Sequence, residues 1–351
     1  SDYFLPKENS KFDKFIQYEC GQTDLCGGWA DRLKGVMSTY AISLLTDRQF
    51  KIKMTKNCDL KKILEPNEIN WDYEQVPTKN ITVKELNLGW NFGLYNLFKD
   101  DISLFTNLNT TNLIKVKAGM NYANRLRENS NLKEKIEKLG YEQSKFHSAY
   151  QFHKWYKQMF KLNKQTQKKY DEFLKKLKPN SHSKLICCQI RKGDPHEREY
   201  KEKYQERSFW NFINQTFLNS SNSSSNYRIF VTSDLEYVKL DAKNYFKNNE
   251  VFYSENSSVH LDKDLSKNEC HKMESVLFDF HVMQNCDIGL VSHSGYGILA
   301  LYNRPDPFKN FYVYSKQVNL NDPNERNNFF LNLKNLTFIK YTKPDDIYFN
   351  K

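Results

Sequence analysis

No run of about 18 consecutive apolar residues occurs in this 351-residue chain, so the sequence lacks the pattern of a membrane-spanning helix. It does not open with the charged and then apolar segments of a secretory signal peptide either. Because it begins with Ser1 rather than Met, we expect an N-terminal signal or membrane anchor to lie outside this sequence.

Two kinds of motif are also missing. No Cys-x-x-Cys pair occurs, which argues against a structural zinc site, and no Gly-x-Gly-x-x-Gly occurs, so the fingerprint of a dinucleotide site is absent.

The seven cysteines are Cys20, Cys26, Cys58, Cys187, Cys188, Cys270 and Cys286. Their odd number leaves at least one thiol unpaired. Because Cys187 and Cys188 lie in an apolar run, we expect both to be core residues rather than members of disulfides.

Hydrophobic residues make up 39% of the chain and aromatic residues 15%, which is enough for packed cores and excludes a disordered protein. The length predicts two domains of roughly 150 to 180 residues each. The net charge of +11 is compatible with nucleic acid, a membrane surface or an anionic small ligand as partner. Because the lysines are spread among acidic residues, with no basic block interleaved with aromatics, we expect a solvated basic surface and no nucleic-acid site.

The pattern along the chain predicts α/β architecture. Residues 20–54 contain a glycine turn, then apolar residues at helical spacing, then the strand-like FKIKM. Residues 120–178 are helical and highly charged, and they end at a turn-rich stretch that we interpret as an interdomain connection. Beyond it, apolar strands alternate with helices, as in a doubly wound parallel sheet with helices on both faces. The predicted regions are an N-terminal domain at 1–182, a C-terminal domain at 183–335 and a tail at 336–351.

Polar residues follow three of the predicted C-terminal strands. They are Arg191 and Asp194, then Ser233 and Asp234, then Ser292, Ser294 and Gly295. Ligands of open α/β sheets bind beyond the carboxyl ends of the strands, so we expect these residues to converge. Arg191 offers a forked cation, and the backbone N–H groups at Ser294 and Gly295 begin a helix, so together they suit a diphosphate. The alternative is that Arg191 forms a surface ion pair with Asp194.

Other candidates carry weaker signals. The turn at Gly27 and Gly28 permits close approach of the backbone to a ligand. The loop after Arg191 supplies possible general bases, Asp194, Glu197 and Glu199, and a histidine, His196, although loop side chains of these types are commonly only solvated. The sequence Asp262-Lys263-Asp264 resembles a metal-binding Asp-x-Asp, but its polar, loop-like surroundings favour no metal site.

Sequons for N-glycosylation occur at Asn80, Asn109, Asn214, Asn219, Asn222, Asn256 and Asn335. They indicate a secretory compartment.

These motifs together resemble those of the GDP-fucose-dependent fucosyltransferases of the GT-B fold, which include α1,6-, chitin-oligosaccharide, xyloglucan and protein O-fucosyltransferases. The similar segments are GGWADRLKGVMSTYAISLLTDRQFKI, QIRKGD, FVTSD and VLFDFHVMQNCDIGLVSHSGYGILA, distributed over about residues 20–50 and 150–303. The resemblance implies two Rossmann-like domains facing a cleft. It also implies an inverting, metal-independent transfer of fucose from GDP-fucose to a glycan or glycoprotein, with no cofactor.

The resemblance implies roles for residues of the C-terminal domain. Arg191 would bind the β-phosphate and stabilise departing GDP, and Glu199 would be the general base, with Asp194 beside it. The residues implied in donor binding are Gln189, where the family usually has His, Asp234 near the nucleotide, Asp279 on the guanine edge, and Ser294 and Gly295 at the phosphate. From the N-terminal domain, Gly28, Asp31 and Arg32 match a turn that faces donor and acceptor.

Three alternatives stay open: a catalytically silent sugar-binding homologue, a transferase for another nucleotide sugar, and a basic interaction protein or nucleic-acid binder. The sequons and the resemblance together predict location in the lumen of the Golgi or another secretory compartment, with a type II membrane anchor outside this sequence.

Overall fold

The computed structural model describes residues 14–193, 205–219, 226–247, 250–254, 261, 269–315 and 336–343. The chain divides into two compact units. The first unit contains the described residues up to Cys26 with Asp31–Lys56 and Pro66–Ser148, and the second contains Gly27–Ala30, Asn57–Glu65 and the described residues from Ala149 onward.

The strands of the described chain are β1 (Phe15–Cys20), β2 (Gln49–Met54), β3 (Leu64–Pro66), β4 (Val83–Gly89), β5 (Leu113–Ala118), β6 (Phe160–Leu162), β7 (Ser183–Ile190), β8 (Asn226–Ser233), β9 (Val251–Phe252), β10 (Ile288–Ser292), β11 (Phe311–Ser315) and β12 (Thr337–Lys340). Its α-helices are α1 (Trp29–Thr46), α2 (Phe92–Leu97), α3 (Ser103–Thr106), α4 (Ala123–Leu126), α5 (Lys133–Lys138), α6 (Ser148–Met159), α7 (Lys164–Leu177), α8 (Gln205–Ile213), α9 (Glu236–Tyr245), α10 (Glu269–Met283) and α11 (Gly295–Tyr302). In the described part of the chain, no helix combines the length and the apolar composition needed to cross a membrane.

The first unit contains a parallel sheet in the order β2-β1-β5-β4. Helix α1 lies close against this sheet at Gly35, where a Cβ atom would come within 3.0 Å of the Ala118 carbonyl and the Tyr18 ring. Only glycine allows this approach. The predicted turn, helix and FKIKM strand are therefore confirmed as the connection before α1, α1 itself and β2.

The second unit contains a six-stranded sheet in the order β12-β11-β10-β7-β8-β9. All pairs are parallel except β11–β12, which is antiparallel. Its core includes Ile186, Cys188 and Ile190 of β7 packed with Phe209 and Trp210 of α8. The predicted alternation of strands and helices after residue 183 is confirmed. It was visible in the sequence because strands that are buried on both faces of a parallel sheet form continuous apolar runs.

Two features differ from the predicted organisation. Helix α7 belongs to the second unit, although we placed it before the boundary at 182, because Tyr170 and Phe173 make edge contacts with Phe278 of α10. The predicted tail also supplies part of the second sheet: β12 pairs with β11, and Tyr341 after it is completely buried.

Three disulfides join Cys20 to Cys26, Cys58 to Cys270, and Cys187 to Cys286. The expectation that Cys187 stays out of disulfides is wrong. Successive strand residues point to opposite faces, so Cys188 enters the apolar core as a buried free thiol while Cys187 reaches Cys286.

Candidate functional site

The carboxyl ends of three parallel strands meet at one edge of the second sheet. Ile190 of β7 lies opposite Ser233 of β8, and Gln189 of β7 lies opposite Val291 of β10. The residues that follow these positions are therefore brought together, as expected from a parallel sheet. The predicted convergence of the polar strand ends is confirmed for Arg191, Ser233, Asp234, Ser292, Ser294 and Gly295, whereas Asp194 lies outside the described residues.

The backbone after β7 is fixed by side chains from both neighbouring strands. The Arg191 N–H donates to Ser292 Oγ at 3.0 Å, and Ser292 Oγ also accepts from Gln205 Nε2 at 3.0 Å. Gly193 has a φ of 79°, in the left-handed region that favours glycine. Arg191 is half-buried at this turn. The sheet thus sets the position of its backbone.

Asp234 has a structural task at the same turn. Its Oδ1 accepts from the Lys192 N–H and its Oδ2 from the Gly193 N–H, both at 2.8 Å. The neighbouring Ser233 hydroxyl donates to the Ile190 carbonyl at 2.7 Å. The contacts that the structure shows for Asp234 therefore shape the turn that carries Arg191, and direct contact with a nucleotide stays a prediction.

A buried ion pair lies beside this turn. Lys192 Nζ is 2.8 Å from Glu206 Oε2 of α8, and the two side chains are 6% and 5% exposed. Removing one partner of such a pair leaves an uncompensated buried charge, which is strongly destabilising. The sequence contains no signal for this pairing, because the two residues are brought together only by tertiary packing.

Gln189 and Ser294 connect β7 to the beginning of α11. Ser294 Oγ donates to Gln189 Oε1 at 3.1 Å, and the Ser294 side chain makes no capping hydrogen bond to the helix. A Cβ atom on Gly297 would lie within 3.0 Å of both Gln189 Oε1 and the Val291 side chain, so the first turn of α11 packs directly on the strands. The N–H groups that begin at Gly295 carry the partial positive charge of a helix N-terminus, which favours an anion.

Asp279 of α10 is a buried carboxylate beside β8. Thr232 Oγ1 donates to its Oδ2 at 2.6 Å. Burial raises the pKa of Asp279, outweighing the Thr232 and Ser254 hydroxyls and Lys239, which lower it. Its Oδ1 is buried and accepts no hydrogen bond from the described residues. Because an unsatisfied buried carboxylate oxygen is costly, this atom is suited to accept N–H donors from a ligand.

The turn before α1 differs in detail from its prediction. The positive φ is at Gly27 (73°), whereas a Cβ atom on Gly28 would meet no described atom within 4 Å, so close backbone approach does not require glycine there. Asp31 pairs with Lys34 at 3.0 Å within the helix. Arg32 is completely buried, and its Nη1 donates to the Lys56 carbonyl at 3.2 Å. The ligand contacts predicted for these residues stay predictions.

Several candidates lie outside the described residues: Asp194, Glu199, His196, Glu197, Asp262 and Asp264. Among the residues that the structure does describe, no group of three or more His, Cys, Asp or Glu side chains could hold a metal ion. Both the identity of the general base and the independence from metal therefore stay predictions.

We predict that Asp234→Ala releases the turn at residues 192–193. Loss of two charge-assisted hydrogen bonds should lower the free energy of unfolding by about 1–3 kcal/mol. It should also abolish the hydrogen-exchange protection of the Lys192 and Gly193 amides. Asp241→Ala is the matched control, because this carboxylate also accepts two hydrogen bonds, from Arg207 and Trp210, at another place in the unit. Unchanged protection of the two amides in Asp234→Ala would contradict the assigned role.

No protein-family model matches the chain, and no curated protein sequence is significantly similar to it. Solved structures do match. A GDP-bound mutant of FUT1 from Arabidopsis thaliana aligns with a TM-score of 0.62 and 12% identity, covering 88% of this chain and 72% of FUT1. The fucosyltransferase NodZ from Bradyrhizobium aligns with a TM-score of 0.52 and 13% identity, covering 93% and 99%. NodZ α1,6-fucosyltransferase soaked with GDP-fucose gives a TM-score of 0.51 at 13% identity, with coverage of 93% and 99%. The chain thus has the fold of these enzymes, and the predicted GT-B-like fold class is confirmed.

Proposed function

We propose that this chain is an inverting glycosyltransferase that transfers fucose from GDP-fucose to a glycan or glycoprotein without a metal ion. The observation that carries the proposal is the connected edge of the second sheet. There, the Arg191 N–H donates to Ser292 at the end of β10, and Ser294 at the N-terminus of α11 donates to Gln189 at the end of β7. The similarity in fold to fucosyltransferases in complex with GDP or soaked with GDP-fucose supports the choice of donor.

In this proposal the donor binds at the carboxyl ends of three adjacent strands, β10, β7 and β8. The diphosphate binds Arg191 and the N–H groups that begin α11 at Gly295, which combine a forked cation with a helix N-terminus. The guanine lies towards β8, where Asp279 Oδ1 accepts from the ring N–H and amino groups of the base. The unsatisfied, buried state of that oxygen among the described residues supports this assignment.

The chemistry follows from this placement. The acceptor hydroxyl attacks the anomeric carbon on the face opposite the diphosphate, so the configuration inverts. Negative charge develops on the departing GDP, and Arg191 with the α11 N–H groups stabilises it in the transition state. The proton of the acceptor passes to a carboxylate, for which Glu199 and Asp194 are the candidates.

We also propose a location in the lumen of the Golgi or another secretory compartment, with a membrane anchor preceding this sequence. Sequon residues Asn80, Asn109 and Asn219 are exposed, as glycosylation requires. Three disulfides are also typical of proteins that fold in an oxidising compartment.

GDP should protect the protein against thermal unfolding. A ligand that binds only the native state at 100 times its Kd adds about 2.7 kcal/mol to the free energy of unfolding. We expect a rise in Tm with GDP and GDP-fucose that persists in a metal chelator. ADP or nucleic acid at physiological salt should give little shift.

The absence of any GDP-dependent rise in Tm would contradict the donor assignment. Where GDP does bind, incubation with GDP-fucose and candidate acceptors separates the remaining alternatives. A silent homologue would bind GDP without transferring fucose, and a transferase for another sugar would consume a different GDP-sugar.

A further inference from the structure

The carboxyl edge of the first sheet displays large apolar side chains to solvent. Leu25, which follows β1, is 84% exposed, and Trp90 and Phe92, which follow β4, are 44% and 45% exposed. Strand β5 lies between β1 and β4, so these two strand ends are roughly 10 Å apart at the usual strand spacing. We call Leu25, Trp90 and Phe92 the aromatic platform.

The Trp90 indole packs against the main chain that follows β5. Gly119 directly follows β5, and a Cβ atom there would lie under 3.0 Å from Cε2, Cζ2 and Nε1 of the Trp90 indole. The Gly119 N–H donates to the Gly89 carbonyl at 3.0 Å, which joins the ends of β4 and β5. The indole therefore rests on the main chain at Gly119, where a larger residue would displace it, while nearly half of its surface stays in solvent.

The loop that carries Leu25 is also fixed. The Cys20–Cys26 disulfide closes it, and Asp24 Oδ2 accepts from the Gly21 N–H at 2.7 Å. Asp24 Oδ1 is 2.8 Å from Lys117 Nζ of β5. Burial works to raise the pKa of Asp24, but the hydrogen bond and charge of Lys117 and the Gly21 N–H hold it below its usual value. Leu25 is thus exposed on an ordered loop.

The size and charge of the platform indicate its ligand. Three side chains offer much less area than the roughly 800 Å² per partner of a stable protein interface. Lys117 is paired with Asp24, and Lys56 Nζ donates to the Asp24 carbonyl at 2.6 Å, so this loop carries one excess cation rather than the row of cations that binds a polyanion such as nucleic acid. A pyranose ring, in contrast, has an apolar C–H face that packs on an aromatic ring and hydroxyls that bond to a carboxylate and an ammonium group.

We propose that the aromatic platform binds a pyranose ring of a neutral oligosaccharide, with Trp90 as the stacking side chain and Asp24 and Lys117 as hydrogen-bonding partners for its hydroxyls. That this oligosaccharide is the acceptor rests on the proposed function. The binding itself does not, because all of these residues lie in the first unit.

The test measures binding without donor. The protein is screened on an array of neutral oligosaccharides, and the strongest binder is titrated by intrinsic tryptophan fluorescence and calorimetry. Trp90→Ala should weaken binding at least about tenfold, because the stacking surface is lost. Trp90→Phe should retain part of the affinity, and Gly119→Ala should weaken binding by displacing the indole. Tyr237→Ala is the matched control, because Tyr237 is 45% exposed on α9 of the second unit.

GDP protection, measured on the same variants, separates this inference from the proposed function. We expect Trp90→Ala to keep the GDP-dependent rise in Tm, which also shows that it is folded, and to lose oligosaccharide binding. Equal affinity of wild type and Trp90→Ala, or no binding of any neutral oligosaccharide at millimolar concentration, overturns the platform. If GDP fails to protect while Trp90-dependent oligosaccharide binding persists, the platform stands and the donor assignment falls.

Discussion

Arg191→Ala is expected to leave the protein folded and to lower the rate of fucosyl transfer by about 10² or more, the scale of removing a main donor to the developing charge. The backbone of Arg191 is held by Ser292, and Asp234 holds the two residues after it. The turn therefore persists without the guanidinium. Initial rates at saturating donor and acceptor, with the Tm of the variant, measure the effect.

Two variants sharpen this result. Arg191→Lys keeps one positive charge but gives up the fork that matches two phosphate oxygens, so it should recover only part of the lost rate. Arg207→Ala is the matched control, because this arginine lies on α8 of the same unit, is 49% exposed and pairs with Asp241. Near-normal transfer by Arg191→Ala would remove Arg191 from the centre of the mechanism.

The second sheet was largely predictable because its strands are buried on both faces. The run IGLVS predicts a strand over 288–292, and β10 spans those residues. Strand β1 of the first sheet and strand β12 of the second sheet were not predicted, for different reasons. On β1, Gln17 and Glu19 alternate with apolar residues and lie against lysines of β2 and β5, so the strand shows no apolar run. Strand β12 is a short, partly exposed edge strand.

The candidate site was predictable as a place but not as a set of contacts. Parallel topology alone brings the ends of β7, β8 and β10 together, so Arg191, Asp234 and Ser294 could be grouped from the sequence. The task of Asp234 could not be predicted, because its partners are backbone N–H groups positioned by the positive φ of Gly193. The Lys192–Glu206 pair depends likewise on how α8 packs beside the strand end.

Gln189 illustrates how a departure from a family pattern becomes interpretable. The resemblance implies His at this position, and the sequence alone suggests only a changed nucleotide contact. In the structure, the Gln189 amide oxygen accepts from Ser294, and Gly297 allows the helix to pack against it. The amide thus joins β7 to the anion-binding end of α11. This contact could not be predicted, because parallel topology brings the two strand ends together but does not fix which of their side chains meet.

Asp279→Ala is expected to weaken GDP binding by about 10²-fold, since hydrogen bonds to a charged group contribute about 1.5–3 kcal/mol and the guanine edge offers two donors. It should also remove the preference for GDP over ADP. Asp279→Asn is the closest control in shape, because its amide oxygen can still accept a hydrogen bond but lacks the negative charge that strengthens it. Calorimetric titration of GDP and ADP against wild type and both variants measures affinity and preference together.

The pH dependence of the same binding gives a second, independent reading. Burial raises the pKa of Asp279, and Glu236 of α9 adds to the rise while Lys239 of that helix opposes it. GDP needs the ionised carboxylate, so its affinity should fall as pH falls through this raised pKa, approaching tenfold per pH unit below it. The stability of the protein without GDP should depend on pH with the opposite sign. Because the pKa of Asp279 is raised in the folded state, its contribution to the free energy of unfolding is complete at low pH and is lost as pH rises through this pKa. Asp279→Asn should flatten both trends, and an unaltered pH profile of GDP binding in that variant would place the guanine elsewhere.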